Sequence, residues 1–516
     1  MSRFRRAVHG VVSSYVLLAA TAVYSLASVP VALHYLDTRR FGLWIVMGTL
    51  VGYLNLIDAG MTSAAGRLLI DHKDDRNGGN YGSLIKTGWL VSILQGAIIF
   101  VIGLLLAGTF ARLLAISGPL LLEFIRLVNW QCGVVGLMFA TRMFSLVLNA
   151  HQRMDLANYI GVGSLLVNFA AQWVFFHFGC GVMSLALGAL VGVLLGVIAQ
   201  LLACTGLKLL PQAGGWGRVS WRHFSELFNY GRDVFLVAIG AQLIMTSQVF
   251  VITRTLGLEE AGVWGVGLRV FNLLNQVIWR IYDMSGAALA ELMAHGELTR
   301  LRERYQTICI LSFSMSAAVA VPFALCNSLF ITLWTHDKIH WPVANNWLLG
   351  IWMIVWSVGH CHNGFILMTK QIGFMRYVYF GEGIVFATLS FLVARWGGLP
   401  AIIVSSIVCS ILFSGAYCTF RVKKFFRLSS QEIFIDWFRP AFKLLCIFTL
   451  LAVGAGLSGK LIPSGLVRLI AFVLFSIFAG VILFFRFGIP KTFAAEILQR
   501  APRLLIPALN HVMKPC

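Results

Sequence analysis

Long apolar runs separated by short polar segments set the pattern of this chain. Fourteen such runs fall at 11–35, 42–62, 86–108, 124–148, 156–178, 182–206, 231–253, 261–287, 306–333, 345–367, 376–396, 399–420, 441–458 and 466–486. A helix of about 20 apolar residues crosses the hydrocarbon core of a bilayer, and each run is near that length. A closed barrel is the other spanning solution, but its strands alternate apolar and polar positions in segments of about ten. These runs are too long and too uniformly apolar for that. The expected fold class is all-α, a polytopic transmembrane helix bundle.

The first run, Val11 to Tyr35, follows Arg3, Arg5 and Arg6. A signal peptide has an apolar core of roughly 7–15 residues and a small-residue cleavage site. This run is longer, and Pro30 with the bulky residues after it makes a poor site, so it reads as a permanent helix. Short loops join the runs. Under a topology with both ends in the cytoplasm, most of the 40 lysines and arginines fall on the inner side and few on the outer side. That asymmetry supports both the orientation and the span count, because one span more or fewer would scramble it.

Composition agrees. Of 516 residues, 59% are hydrophobic and only 12% charged, against roughly 25% charged in soluble domains. The net charge of +20 is mostly a cytoplasmic rim suited to anionic membrane lipids. There is no soluble basic domain to present to nucleic acid, and no such partner is expected. The outer loops are all short, the longest lying around Trp334–Val343. They leave no room for the large acceptor-holding loop of a membrane polymerase or ligase, so no enzyme is expected. The ten cysteines are scattered, with no CxxC pair and no zinc spacing. His360-Cys361-His362 resembles a metal cluster in composition only, since adjacent residues on a helix point about 100° apart. No metal or cofactor is expected. No phosphate-binding loop or nucleophile elbow occurs, so any uphill step must draw on a gradient or a partner.

An internal repeat refines the architecture. Asp37–Ile70 resembles Gly257–Leu292: Phe41-Gly-Leu-Trp44 matches Ala261-Gly-Val-Trp264, and Met61-Thr-Ser-Ala-Ala65 matches Met284-Ser-Gly-Ala-Ala288. Both copies start from the same side, so the halves are parallel. Such repeats place a substrate path between two lobes. The expected lobes are the six-helix segments 1–206 and 207–422. Residues 423–516 then supply two additional helices and a cytoplasmic C-terminal tail.

A charged side chain inside the membrane is costly and ordinarily faces a polar cavity. The eighth run is richest in them. Arg269, Asn272, Gln276, Arg280 and Asp283 are spaced by 3, 4, 4 and 3 residues, which puts them on one helix face. Such a stripe is expected to line a water-filled cavity. Arg280 and Asp283 can pair at i, i+3. Arg269 has no acid one turn away, and a guanidinium meets phosphate oxygens through two parallel hydrogen bonds. Arg269, Arg280, Asn272 and Gln276 are thus candidates for substrate binding, and bracing through buried ion pairs is the plainer alternative. Asp283, Asp58, Asn55 and Glu382 are candidates for gating or ion coupling. Asp58 could instead pair with Arg67 or cap a helix, and Glu382 could pair with Arg376. Asn168, Gln172, Gln242 and Gln248 read as amides that hold helices together. Gly188, Gly192 and Gly196 form a GxxxGxxxG close-packing face, and Pro30 and Pro322 are candidate kinks.

Three short motifs carry a family resemblance: Phe41-Gly-Leu-Trp44, Tyr53-Leu-Asn-Leu-Ile-Asp58-Ala-Gly60, and Leu148-Asn-Ala-His-Gln-Arg153 with Asn158. In order and placement they resemble the polysaccharide-transporter branch of the MOP superfamily. That branch holds the Wzx O-antigen flippases, with MurJ and the MATE drug exporters as cousins. Members show a Gly-x-Trp turn, a Leu-x-Asp-x-Gly ending and a Gln-Arg pair in these places, and the likeness is clearest over residues 10–310. The resemblance implies a flippase of the bacterial inner membrane that moves an undecaprenyl-pyrophosphate-linked oligosaccharide outward by alternating access, for O-antigen, capsule or exopolysaccharide synthesis. It implies membrane lipids, a polysaccharide polymerase and export machinery as partners. The chain departs from some relatives in lacking a charge in the core of its first span. A MATE-like ion-coupled exporter of cationic small molecules is the competing expectation. It would need an acidic cavity, whereas the eighth run carries two arginines and one aspartate.

Overall fold

A computed structural model describes residues 3–73, 79–212, 214–369, 371, 373–459, 461–490 and 493–494. The side chains of Arg3, Arg5 and Arg6, and most of the C-terminal tail, lie outside the described residues. The described chain is helical throughout, without strands. Its helices are α1 (Arg3–Tyr35), α2 (Thr38–Leu54), α3 (Met61–His72), α4 (Asn80–Leu113), α5 (Pro119–Thr141), α6 (Met143–Ala150), α7 (Met154–His177) and α8 (Met183–Gly206). They continue as α9 (Trp221–Thr255), α10 (Leu258–Ala294), α11 (Leu298–Trp334), α12 (Val343–Met368), α13 (Met375–Ser410), α14 (Ala416–Phe426), α15 (Arg439–Gly459) and α16 (Gly465–Leu483).

Among the described residues, ten helical stretches are long and apolar enough to cross a membrane. One of them, Met375–Phe426, holds two of the runs read from the sequence. They meet at Gly398 (φ 59°, ψ −149°), just before Pro400. Positive φ suits glycine, and proline cannot continue the preceding helix, so the chain turns there. The remaining expected spans fall on α9, α10 and α12. Pro30 and Pro322 lie inside the uninterrupted helices α1 and α11.

The chain divides into two compact units, 1–262 and 263–516. Lipid tails are as apolar as leucine, so helices here associate through close packing and polar contacts rather than by escaping water. Small residues do that in the first unit. A Cβ on Gly96 of α4 would lie 2.4 Å from the Gly136 carbonyl of α5. Gly188, Gly192 and Gly196 of α8 face Ser164, Asn168 and Gln172 of α7, which is the close-packing role read from their spacing. Asn168 and Gln172 in turn donate to the Tyr24 hydroxyl on α1, at 3.3 and 2.8 Å. Asn158 donates to Ser13 and Ser14 of α1 at 3.0 Å. Helix α9 packs on α2, α3 and α4.

The first residues of the repeat also meet in this unit. A Cβ on Gly42 would lie 2.1 Å from the Leu258 carbonyl oxygen, and one on Gly262 would lie 2.8 Å from the Thr38 carbonyl oxygen. The two repeat-related glycines thus permit a reciprocal backbone crossing, which accounts for Gly in both Gly-x-Trp copies.

In the second unit α11 is central, packed by α12, α15 and α16. Its core is strongly aromatic, with Tyr305, Phe313, Phe365, Trp437 and Phe448 essentially inaccessible. Helix α10 is held to α12 by large side chains: Tyr282 sits against Gly364, and Phe271 against Trp352.

Candidate substrate-binding site

The polar stripe of α10 follows from its sequence spacing. Asn272, Gln276, Arg280 and Asp283 are exposed, while Arg269 is half-buried. The opposite face carries the apolar anchors Phe271, Ile278 and Tyr282, all buried. Asn275, also buried, donates to the Phe271 carbonyl at 2.9 Å and is satisfied within its own helix. One face of α10 is therefore committed to packing and the other is free to meet a polar ligand.

Beside the stripe runs a row of rings from α10 and α12. Phe271 stacks on Trp352 (5.2 Å between centroids) and on Trp356 (6.0 Å). Trp279 meets Trp356 edge-on at 4.6 Å and stacks on His360 at 4.6 Å with 10° between the planes. Trp352, Trp356 and His360 are four residues apart and so share one face of α12. This row fixes His360 where its Nε2 lies 2.9 Å from Asp283 Oδ1.

Asp283 is thus paired across the helices. The i, i+3 pair with Arg280 that the spacing allows is replaced by the histidine, and Arg280 makes no ion pair among the described residues. His360 and His362 point to different neighbours. His362 is fully buried with its Nδ1 2.7 Å from the Tyr305 hydroxyl on α11, so the two imidazoles do not converge.

Asn55 and Asp58 lie in the first unit, in a single 3-10 turn (Asn55–Asp58) that interrupts the second span. Asn55 is exposed. After Asp58 the chain turns through Ala59 (φ 47°) and Gly60 (φ 75°) before α3 begins. Broken backbone at membrane depth must find partners inside the protein, and the motif supplies them. The Gln95 amide donates to the Ile57 carbonyl at 2.8 Å and to the Asp58 carbonyl at 3.3 Å. The Asp58 carboxylate accepts from the Thr62 backbone N–H at 3.2 Å. Its charge is balanced by Arg142, and the same guanidinium reaches Gln95 Oε1 and, at 3.1 Å, Ser92 Oγ. The expected alternative partner of Asp58, Arg67, is replaced by Arg142, which stands at the junction of α5 and α6. Arg142 went unremarked in the sequence reading. The signal was there, as one of two arginines, with Arg126, within the apolar run 124–148.

Glu382, 1% exposed, is fixed in the turned hairpin of α13 and α14. Its carboxylate accepts the Ser414 backbone N–H at 3.0 Å, inside a π-helical turn at Ile411–Gly415. The expected alternative partner, Arg376, lies over the Tyr377 ring instead. The structure thus gathers Asn272, Gln276, Arg280 and Asp283 on one face, adds His360 to them, and gives Asp58 and Glu382 partners of their own.

The comparisons with known proteins bear on this arrangement. The profile of the polysaccharide biosynthesis protein family matches residues 35–338. The chain belongs to that family. Among solved structures, it is similar to an inward-facing multidrug resistance MATE family transporter of the MOP superfamily, with TM-score 0.67 and 11% identity, covering 79% of this chain and 96% of that one. It is also similar to the lipid II flippase MurJ in an inward closed conformation, with TM-score 0.65 and 11% identity, covering 95% and 99%. An outward-facing MATE structure matches with TM-score 0.58 and 12% identity, over 82% and 96%. A comparison with curated proteins finds no significant match. At these identities the structural likeness shows the fold. With the apolar helices of the described residues it supports a multi-pass membrane protein of the polysaccharide biosynthesis protein family.

Proposed function

We propose that this protein is a flippase for a lipid-linked oligosaccharide, carried on undecaprenyl pyrophosphate, in the inner membrane of a bacterium, with both termini cytoplasmic. The carrying observation is the exposed face of α10, where Arg280, without an ion pair among the described residues, stands in line with Asn272 and Gln276. Guanidinium suits a pyrophosphate, and neighbouring amides suit sugar hydroxyls. The lipid tail has no need to leave the bilayer. Alternating access would use the lobes 1–206 and 207–422, with 423–516 outside them. No chemical step on the sugar is required, so the protein is a transporter and not an enzyme, and a polymerase and export machinery would act after it. The charges of the polar stripe, Arg269 and Arg280 against Asp283, speak against a cationic drug as cargo.

The test is complementation. Arg280→Ala and Arg269→Ala should each abolish surface polysaccharide in cells lacking the native protein, while membrane insertion and amount stay normal. Full export by both variants would dismiss the anion site.

A further inference from the structure

The pair His360–Asp283 has no role in the reading above. We infer that it is a proton-binding site linked to the binding of an anionic ligand on the same face of α10. The inference rests on the proposed anion site and deepens it.

Three observations carry it. The pair is close, with His360 Nε2 2.9 Å from Asp283 Oδ1. It is open, the side chains being 26% and 50% exposed. And the imidazole lies flat on Trp279, at 4.6 Å and 10°. An aromatic face opposite a carboxylate is a setting for a cation. Imidazole is the side chain whose charge ordinarily changes between pH 5 and 8. Among the described residues, Asp283 of α10 pairs with it, Arg280 shares that exposed face of α10, and the Tyr282 ring lies 5.9 Å away. On its own helix, Cys361 and His362 turn into the core, where Tyr305 of α11 meets His362. Glu382 of α13 is engaged by Ser414.

The charge arithmetic gives the sign. Protonation of His360 adds one positive charge to the face that carries Arg280 and Asp283. An anion near Arg280 is then held more strongly, and by reciprocity the bound anion favours the proton. Affinity for an anion should therefore rise as pH falls.

The experiment uses the full-length protein in lipid nanodiscs, with inorganic pyrophosphate as probe, and measures affinity from pH 8 to pH 5.5. Wild type should tighten severalfold more than His360→Gln as the pH falls. The probe's own titration is common to both proteins and cancels in that comparison. His360→Lys, which fixes the positive charge, should bind tightly across the range and lose the extra pH dependence. Thermal unfolding of each variant establishes that it is folded. Binding by wild type whose pH profile matches His360→Gln would overturn the proton site and leave the anion site standing. No pyrophosphate binding by wild type or His360→Lys at any pH would overturn both.

Discussion

Replacing Asp58 by Asn keeps the shape of the side chain and removes its charge. Arg142 then stays in place, its side chain only 15% exposed, facing a neutral amide instead of the carboxylate. Breaking a fully buried pair by removing one partner costs about 3–5 kcal/mol, and breaking an exposed pair about 0–1 kcal/mol. Asp58 is 22% exposed, and the guanidinium keeps Gln95 and Ser92 as acceptors. The cost should lie between those limits, at about 2 kcal/mol. For a unit of this size that is roughly 4–8 °C in the unfolding midpoint. Arg142→Gln should cost a similar amount. The double variant should cost clearly less than the two together, because neither charge is then stranded. The assay is thermal unfolding in detergent with parallel measurement of surface polysaccharide. Stability and export should fall together and recover together in the double variant. An Asp58→Asn protein of wild-type stability that nevertheless fails to export would refute the clamp and return Asp58 to a coupling role.

Other outcomes follow from the same packing. Gly42→Ala puts a Cβ 2.1 Å from the Leu258 carbonyl oxygen and should destabilise by about 1–3 kcal/mol or more, whereas Gly48→Ala, which meets nothing within 4 Å, should be nearly neutral in the same melt. Tyr305→Phe strands a buried nitrogen of His362 and should cost about 1–3 kcal/mol, read as a lower unfolding midpoint with export retained. Glu382→Gln keeps an acceptor for the Ser414 N–H and should export normally, while Glu382→Ala should lower stability. Loss of export by a stable Glu382→Gln protein would give that carboxyl a proton-carrying role.

The spans were legible because hydrophobic run length is set by bilayer thickness. The all-helical architecture and the α10 stripe needed nothing else, since a 3.6-residue period fixes which side chains share a face. The glycines of α8 were legible for the same reason. Contacts between distant segments were not. Arg142 and Asp58 are separated by 84 positions and His360 and Asp283 by 77, and no local period encodes such pairings. Neighbours in sequence also misled. Arg280 offered itself to Asp283, Arg67 to Asp58 and Arg376 to Glu382, because short spacing is visible and tertiary contact is not. The break at Asp58-Ala-Gly60 was marked by its motif, but the need for Gln95 to satisfy the freed carbonyls appears only once α4 lies beside it.

The most direct test of the central claim is the leaflet distribution of lipid-linked oligosaccharide in cells depleted of this protein. The account predicts that the intermediate accumulates on the cytoplasmic leaflet while surface polysaccharide is lost, and that both are restored by the native chain but by neither Arg269→Ala nor Arg280→Ala. Depletion that leaves surface polysaccharide normal and the intermediate unaccumulated would contradict it.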